Sequence, residues 1–180
     1  MILLVLSLLT NMPVVASSGE THLISVDSDE VQANGFSLFA ASVSLEGRYV
    51  LFLSNASNLV PNDLNATTDD FLRDTLNGET SLISVNTAGQ SGNGMSTSAM
   101  MTTDGRYVVF QSAASDLVEN DTNGVSGIFF RDLQTNTTLL LSVTSQLHQQ
   151  HTHVHITAET SDNRHGIAVC KSALTTAAGK

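Results

Sequence analysis

Three oxygen-bearing side chains stand close together in one polar stretch of the chain, Asp63, Asn65 and Asp69. Their D-x-N-x-x-x-D spacing would put two carboxylates and an amide on one tight loop, and oxygen atoms of this kind are the ligands that Ca²⁺ prefers. The stretch lacks the glutamate that closes an EF-hand loop, and Asp and Asn in loops also bond their own backbone as Asx-turns. A weak calcium site and a purely structural turn are therefore both open, and the turn is the simpler interpretation.

A histidine cluster is the second group that could bind a metal ion. His148, His151, His153 and His155 occur in the segment LHQQHTHVHIT. On a strand the last three would share one face, and three imidazoles suit Zn²⁺ or Cu²⁺. The alternative is a solvated loop, because the corresponding earlier segment, QSGNGMSTS, is polar and has no histidine. The single cysteine, Cys170, lies in an apolar run and is predicted to be a small buried side chain.

The dipeptides Arg73-Asp74 and Arg131-Asp132 are a third polar feature, and they recur 58 residues apart. A catalytic residue need occur only once per site, so this recurrence indicates structural ion pairs or turn formers. The sequence contains no G-x-S-x-G elbow, H-E-x-x-H helix or P-loop. We therefore expect a chain that is not an enzyme and has no catalytic residues.

The recurrence extends well beyond the dipeptides, since Glu46 to Val85 is written again as Asp104 to Val143. Self-similarity at a fixed period indicates an array in which each unit buries its apolar face against the next. Ser, Thr, Asn, Gly and Val are abundant, and no segment after the first fifteen residues sustains apolar positions at helical spacing. The sequence therefore predicts an all-β chain.

Each repeat is predicted to hold four antiparallel strands. A short strand of small residues leads through a turn at Gly47 or Gly105 into the aromatic and β-branched segments RYVLFLS and RYVVFQS. A polar loop then leads to DDFLRDT or GIFFRDL, and a second turn leads to SLISV or LLLSV. Four such strands in about 58 residues are the content of one propeller blade.

The pattern S-x-D-G-R-Y-V-x-F, followed by A-S-x-L-V-x-x-D-x-N and x-F-x-R-D-x-x-T, resembles the TolB-type, WD-like β-propeller repeats of bacterial exported proteins. The resemblance covers roughly residues 21–143 and implies blades packed face to face, with the Tyr and Phe of each central strand between them. The other architecture with this strand content is a β-sandwich or a β-helix array.

A closed propeller needs typically four to eight blades, and this chain has fewer. We predict a lone strand over 21–26, one blade over 38–85 and another over 97–143. Residues 144–180 then form a degenerate third blade or an aberrant C-terminal tail. The expected propeller is thus incomplete or fragmentary, and its unpaired strand edges would favour self-association.

The first residues resemble a secretory signal peptide, because an apolar run is followed by a small-residue cleavage site at Ala16. We predict a signal peptide over 1–16, export to the periplasm or the outside of a bacterial cell, and no membrane span after its removal. A net charge of −10 with only seven Lys and Arg argues against nucleic acid. The expected function is a non-catalytic binding or scaffold module for a protein, peptide or glycan, with calcium at Asp63, Asn65 and Asp69 as an optional stabiliser. The alternative is the propeller portion of a larger hydrolase or peptidase.

Overall fold

The computed structural model describes residues 21–142, with residues 39 and 40 as backbone only, and the backbone of two later strands, Val154–Thr157 and Ala168–Lys171. The predicted signal peptide over 1–16 lies outside the described residues. So do the side chains of the histidine cluster and of Cys170, together with the rest of the predicted third blade or tail over 144–180.

Eight strands within residues 21–142 form two four-stranded sheets. In chain order they are β1 Ser37–Val43, β2 Tyr49–Ser54, β3 Asp69–Asp74, β4 Glu79–Leu82, β5 Ser96–Met101, β6 Tyr107–Ser112, β7 Gly127–Asp132 and β8 Thr137–Leu140. The first sheet has the order β1-β2-β3-β4 and the second β5-β6-β7-β8, and every neighbouring pair is antiparallel. The strands Val154–Thr157 (β9) and Ala168–Lys171 (β10) pair antiparallel as a separate two-stranded sheet.

The all-β prediction is confirmed, since none of the described residues is helical. Accordingly, a helix able to cross a membrane is not found among them. The two sheets also have corresponding registers. Phe52 of β2 pairs with Phe71 of β3, and Phe110 of β6 pairs with Phe129 of β7. The sequence repeat is thus a repeat of the strand pairing.

The predicted lone strand over residues 21–26 is not formed. Val26 makes only an isolated antiparallel bridge with Gln32, and the corresponding residues Val85 and Ser91 make the same bridge in the next repeat. A fourth strand is stable only when a third strand pairs with it. Among the described strands, none pairs with residues 21–26.

The spacing between the repeats changes inside the first strand of each sheet. The bridges Val26–Gln32 and Val85–Ser91 lie 59 residues apart, whereas the aromatic pairs lie 58 apart. Strand β1 has seven residues and two register shifts, and β5 has six residues and one shift. One additional residue in the bulged strand β1 therefore accounts for the change, since a bulge absorbs an extra residue without altering its neighbours.

The core is divided between two clusters of buried side chains. The larger cluster lies between the sheets and joins residues of the first sheet and its flanking loop to residues of the second: Leu51, Leu72, Ile83, Ala99, Met101, Val108, Phe110, Ala114, Leu117 and Phe129. The smaller cluster contains Phe52, Phe71 and Leu82 of the first sheet with Ala56, Leu59 and Val60 of a loop, and the partly buried Ile24 and Ala33 pack against it. The second sheet thus packs against the first, whereas the corresponding side of the first sheet packs against its own loop and against Ile24 and Ala33.

Candidate functional site

The structure brings the three predicted site residues together at the end of the loop that joins β2 to β3. The amide nitrogen of Asn65 donates to Asp69 Oδ2 over 2.8 Å and to the Gly92 carbonyl over 2.7 Å. Its side-chain oxygen accepts the backbone N–H of Thr67 at 2.8 Å. Asn65 therefore forms the Asx-turn that was one of the two expectations, and the same side chain holds Asp69 in place.

The remaining oxygen of Asp69 is bonded from the next strand connection. Ser84 donates its hydroxyl to Asp69 Oδ1 at 2.6 Å and accepts the backbone N–H of Asp70 at 3.2 Å. The same serine recurs in the second repeat, where Ser142 accepts the N–H of Ile128 at 3.1 Å. Ser84 and Ser142 are therefore equivalent structural ties, and of the two only Ser84 also contacts a carboxylate.

The carboxyl groups of this loop lie in an environment that disfavours their charge. Burial raises the pKa of Asp69 to about 6, although hydrogen bonds from Ser84 and Asn65 offset part of the effect and Asp63 adds to it. Burial also raises the pKa of Asp63, against the hydrogen bonds from the Asn65 backbone and from Ser91. Removal of a carboxylate from water favours its protonated form unless a positive charge is near. Within the described residues, no Lys or Arg forms a salt bridge with Asp63 or Asp69.

A fourth carboxyl group, Asp70, was not among the predicted site residues. It is fully buried next to Asp69 on β3, and neither of its oxygens has a hydrogen-bond partner. Burial first, and then the neighbouring Asp69, raises its pKa. The sequence carried a signal for this residue, because an acidic residue within the hydrophobic strand DDFLRD is an exception to the usual strand composition.

Oxygen atoms without partners distinguish this loop from an ordinary turn. Asp63 Oδ1 and Thr67 Oγ1 are buried and make no hydrogen bond. Both carboxyl oxygens of Asp70 are also buried and make none. Buried polar atoms are satisfied in the great majority of cases, so each exception calls for an explanation such as a water or an ion. Within residues 21–142 no group of three or more His, Cys, Asp or Glu side chains is arranged to hold a metal ion. A cation here would therefore depend on amide, hydroxyl or carbonyl oxygens in addition to carboxylates.

The corresponding loop of the second repeat retains only half of this arrangement. Asp121 matches Asp63, and its Oδ2 is buried without a partner. Asn123 matches Asn65 and accepts the N–H of Val125 at 3.0 Å, which is the same turn. Gly127 and Ile128 replace Asp69 and Asp70. The second loop therefore preserves the turn and lacks the two carboxyls of the strand.

The recurrent Arg-Asp dipeptides contribute structural ion pairs, but the two residues of a dipeptide do not pair with each other. Asp74 accepts two hydrogen bonds from Arg48, at 3.0 and 2.7 Å, and Asp132 accepts two from Arg106, at 3.1 and 2.9 Å. Each aspartate also accepts backbone N–H groups of the turn that follows, those of Leu76 and Asn77 in the first repeat and that of Gln134 in the second. The expectation of ion pairs or turn formers thus agrees with the contacts made by the aspartates. The arginine partners lie in the connections from β1 to β2 and from β5 to β6.

The pKa values of the paired aspartates follow from these contacts. Burial would raise the pKa of Asp74, but hydrogen bonds from Arg48 and from the turn outweigh it and lower the pKa. For Asp132 the bond from Arg106 is the largest effect, and it lowers the pKa against the effect of burial. The guanidinium carbons of Arg48 and Arg106 also lie 4.7 and 4.6 Å from the ring centres of the tyrosines that follow them.

Asn34 and Asn93 hold the loops that lie ahead of the two sheets. Asn34 accepts the N–H of Ser57 at 2.9 Å and donates to its hydroxyl at 3.2 Å, and Asn93 makes the same two bonds with Ser115 at 2.8 and 3.0 Å. Because the partner is more than twenty residues away along the chain, its identity required the folded structure.

Comparison of the chain with protein-family models, with curated protein sequences and with solved structures gives no match. The interpretation of the site therefore depends on its own contacts and charges.

Proposed function

We propose that the chain is a non-catalytic binding or scaffold module built from β-propeller blades of the TolB type. The observation that carries the proposal is the repeat itself, since two copies of one four-stranded unit pack with a shared apolar core between them. Repeat arrays of this kind present extended surfaces made of loops, and binding is their usual role. The ligand class is a protein, a peptide or a glycan, and export to the periplasm or the outside of a bacterial cell belongs to the same proposal.

The role is tested by measuring binding and turnover in parallel. Purified protein is applied to peptide and glycan arrays, and the retained ligands are then incubated with the protein in solution and examined for products. We expect retention without chemical change. Release of a cleaved product by the purified chain would contradict the non-catalytic assignment. A reading frame that continues into a Ser-His-Asp domain would instead favour the propeller portion of a hydrolase or peptidase.

A calcium ion at the Asp63–Asp69 loop is a second, independent proposal. It is supported by the buried oxygens without partners and by the raised pKa values of Asp63 and Asp69, both of which a bound cation would correct. The oxygen ligands would come from Asp63, Asn65, Asp69 and backbone or hydroxyl groups of the same loop. The second repeat, without Asp69 and Asp70, provides no equivalent site.

Thermal unfolding with calcium or with chelator tests the metal proposal. A site with a Kd of about 1 mM would stabilise the fold by about 1.4 kcal/mol at about 10 mM calcium. Asp69→Asn should abolish this gain, whereas Asp121→Asn in the second loop should leave it intact. An unchanged unfolding midpoint of the wild-type protein in calcium would exclude the site, and an equal gain with magnesium would show that the gain is not specific to calcium.

A further inference from the structure

Arg73 and Arg131 occupy the same position in the two sheets, on β3 and β7. Each directs one guanidinium nitrogen to a threonine of the next strand, Arg73 to Thr80 at 3.1 Å and Arg131 to Thr138 at 2.9 Å. Both residues are more than nine-tenths buried, with exposed fractions of 4% and 8%. A buried guanidinium needs acceptors for all its N–H groups and a nearby negative charge. The two repeats therefore share one requirement and can be compared directly.

In the first repeat this requirement is met by the turn at Asp27–Glu30. The Arg73 guanidinium donates to the Asp27 carbonyl at 2.8 Å and forms a salt bridge with the Glu30 carboxylate. Thr80 completes the contact, because its hydroxyl donates to the Val26 carbonyl at 2.6 Å. The turn thus brings a carboxylate and backbone carbonyls to an arginine and a threonine that lie side by side.

In the second repeat the corresponding turn has the same shape and does not reach the arginine. Asn86 replaces Asp27, and it closes the turn by accepting the N–H groups of Ala88 and Gln90, both at 3.0 Å. Gly89 replaces Glu30, so the carboxylate is lost. The turn is also tied to the first sheet's loop, because Asn62 accepts the Ser91 N–H at 2.9 Å and donates to the Gly89 carbonyl. It therefore lines the space in front of Arg131 and does not fill it.

The guanidinium of Arg131 is consequently left with few partners. Besides Thr138 it has one long contact to the Asn136 side-chain oxygen, at 3.4 Å, and its Nε has no acceptor among the described residues. The described residues also provide no carboxylate in salt-bridge contact with it. Burial lowers the pKa of Arg131 in the absence of a compensating charge. Asp74 and Glu79 line a second cavity, of about 230 Å³, together with Arg131, but neither carboxylate is in salt-bridge contact with it. The buried guanidinium therefore has no direct counter-ion among the described residues.

A cavity of about 860 Å³ lies in front of this guanidinium. Its walls are the exposed edge strand β4, the turn around Asn86, the connection near Glu119, and Arg131 with Thr138. The volume falls within the range of ligand-binding clefts. Among the residues that the structure describes, Arg131 and Glu119 are the charged side chains that line this cavity. Glu119 is exposed and makes no salt-bridge contact with Arg131.

We propose that this cavity binds an acidic peptide turn, with Arg131 pairing with a carboxylate of the peptide and Arg131 and Thr138 contacting its backbone carbonyls. The chain's own Asp27–Glu30 turn, seated on Arg73 and Thr80, provides the template for the bound ligand. The inference deepens the proposed binding role by naming the ligand class, and in that sense it rests on that role. It does not depend on the number of blades or on calcium.

The test uses a labelled peptide of residues 21–35, THLISVDSDEVQANG, and the full chain, with binding followed by fluorescence anisotropy. We expect saturable binding to the wild-type protein. Because a buried charge-assisted hydrogen bond is being removed, we expect at least about tenfold weaker binding for the Glu30→Gln peptide and for the Arg131→Gln protein. Arg106→Gln removes the same charge from the same sheet at an exposed ion pair, and it should leave the affinity unchanged.

Three results would overturn the proposal. The first is equal binding of the peptide by wild-type protein and by Arg131→Gln, and the second is the absence of binding at about millimolar peptide, a concentration at which even weak sites fill. The third is loss of binding in Arg73→Gln alone, which would show that the peptide exchanges with the chain's own turn. If Arg131→Gln does not fold, the wild-type protein with the two peptides decides, together with Thr138→Val. Failure of this peptide while other array ligands are retained would reject the site and leave the general binding role intact.

Discussion

The two four-stranded sheets have the same strand order and differ in what covers them. The side of the second sheet that carries Phe110 and Phe129 lies against the first sheet. The side of the first sheet that carries Phe52 and Phe71 packs instead against its own loop and against Ile24 and Ala33 of the segment 24–33. A sheet in a repeat array needs its apolar face buried, and it can use a neighbouring repeat or a folded segment for the purpose. Ile83, which corresponds to Ile24, also belongs to the cluster between the sheets, so the segment ahead of each sheet contributes to the core in both repeats and only the second sheet has a neighbouring sheet as well.

The polar residues of the two sheets differ in a similar way. In the first sheet the buried Arg73 pairs with the Glu30 carboxylate. The same sheet also contains two buried carboxyls, Asp69 and Asp70, whose pKa values are raised by burial. The second sheet has Gly127 and Ile128 in place of these carboxyls, and its arginine, Arg131, lacks a described counter-ion. Since the strands are otherwise equivalent, corresponding substitutions in the two sheets can measure each difference separately.

The largest effects are expected at the two fully buried phenylalanines of the third strands. Phe71→Ala and Phe129→Ala should each lower the free energy of unfolding by about 3–5 kcal/mol, because each leaves a cavity in a closed core. Chemical denaturation measures both. Equal losses would show that residues 24–33 cover the first sheet as tightly as the first sheet covers the second. A loss below about 2 kcal/mol for Phe71→Ala alone would show that this cover is loose.

The buried arginines should respond in opposite directions. Arg73→Met removes the bonds to Asp27 and Glu30 and should cost about 2–3 kcal/mol. Arg131→Met removes a buried charge that has no described counter-ion, and it should change stability little or raise it by about 1 kcal/mol. Denaturation of the two variants gives the comparison. A loss for Arg131→Met as large as that for Arg73→Met would mean that Arg131 is already paired within the chain.

The pH dependence of stability separates the carboxyls of the first sheet from the ion pairs that both sheets share. The folded-state pKa of Asp69, about 6, lies above its ordinary value of 3.8, so the folded state binds the proton more tightly. Stability from this group is therefore greatest at low pH and is lost as the pH rises through about 6, by about 3 kcal/mol in total. The lowered pKa values of Asp74 and Asp132 act in the opposite sense, since their contribution is lost as the pH falls below 4.

Asp69→Asn isolates the first of these two effects. Unfolding of the variant and of the wild type is measured from about pH 4 to about pH 7. The difference in stability between them should shift in favour of the variant as the pH rises through this range. A difference that stays constant over the range would show that Asp69 is not protonated more readily in the folded protein than in the unfolded chain.

The smallest expected difference concerns the matched turns at Gly47 and Gly105, whose φ angles are 72° and 76°. An alanine at either position incurs the cost of the left-handed conformation, about 1 kcal/mol. A Cβ on Gly47 meets no atom within 4 Å, whereas one on Gly105 would overlap the ring of Tyr49 in the first sheet. Gly105→Ala should therefore be the more destabilising by about a further 1 kcal/mol. Equal losses would show that the Tyr49 ring moves aside freely.

Much of the fold was predictable because it is written twice in the sequence. The aromatic and β-branched segments were predicted as strands and form β2 and β6, and the glycines of the preceding turns have the expected positive φ. The strand over 21–26 was predicted by the same pattern and is not formed. Strand formation depends on a neighbouring strand as well as on composition, and the repeat pattern does not show whether that neighbour exists.

The site was predictable to a smaller extent. Spacing alone placed Asp63, Asn65 and Asp69 together, because a tight loop brings residues close in sequence into contact. The partner of Asp74 and the counter-ion of Arg73 lie 26 and 43 residues away. Such contacts depend on strand register and loop paths, which a single sequence does not specify. The cavity at Arg131 was unpredictable for the same reason, since it arises from the position of a turn and not from its composition.

The central claim is that the two repeats fold as separate sheets packed against each other, and the contact between Tyr49 and Gly105 tests it most directly. Nuclear Overhauser spectra of the full chain should show a cross-peak between the Tyr49 ring protons and the Gly105 Hα protons. The stacked rings of Tyr107 and Phe130, whose centres lie 5.3 Å apart within the second sheet, provide the internal reference. Both cross-peaks are expected. A spectrum with the Tyr107–Phe130 cross-peak and without the Tyr49–Gly105 cross-peak would contradict the packing of the two sheets.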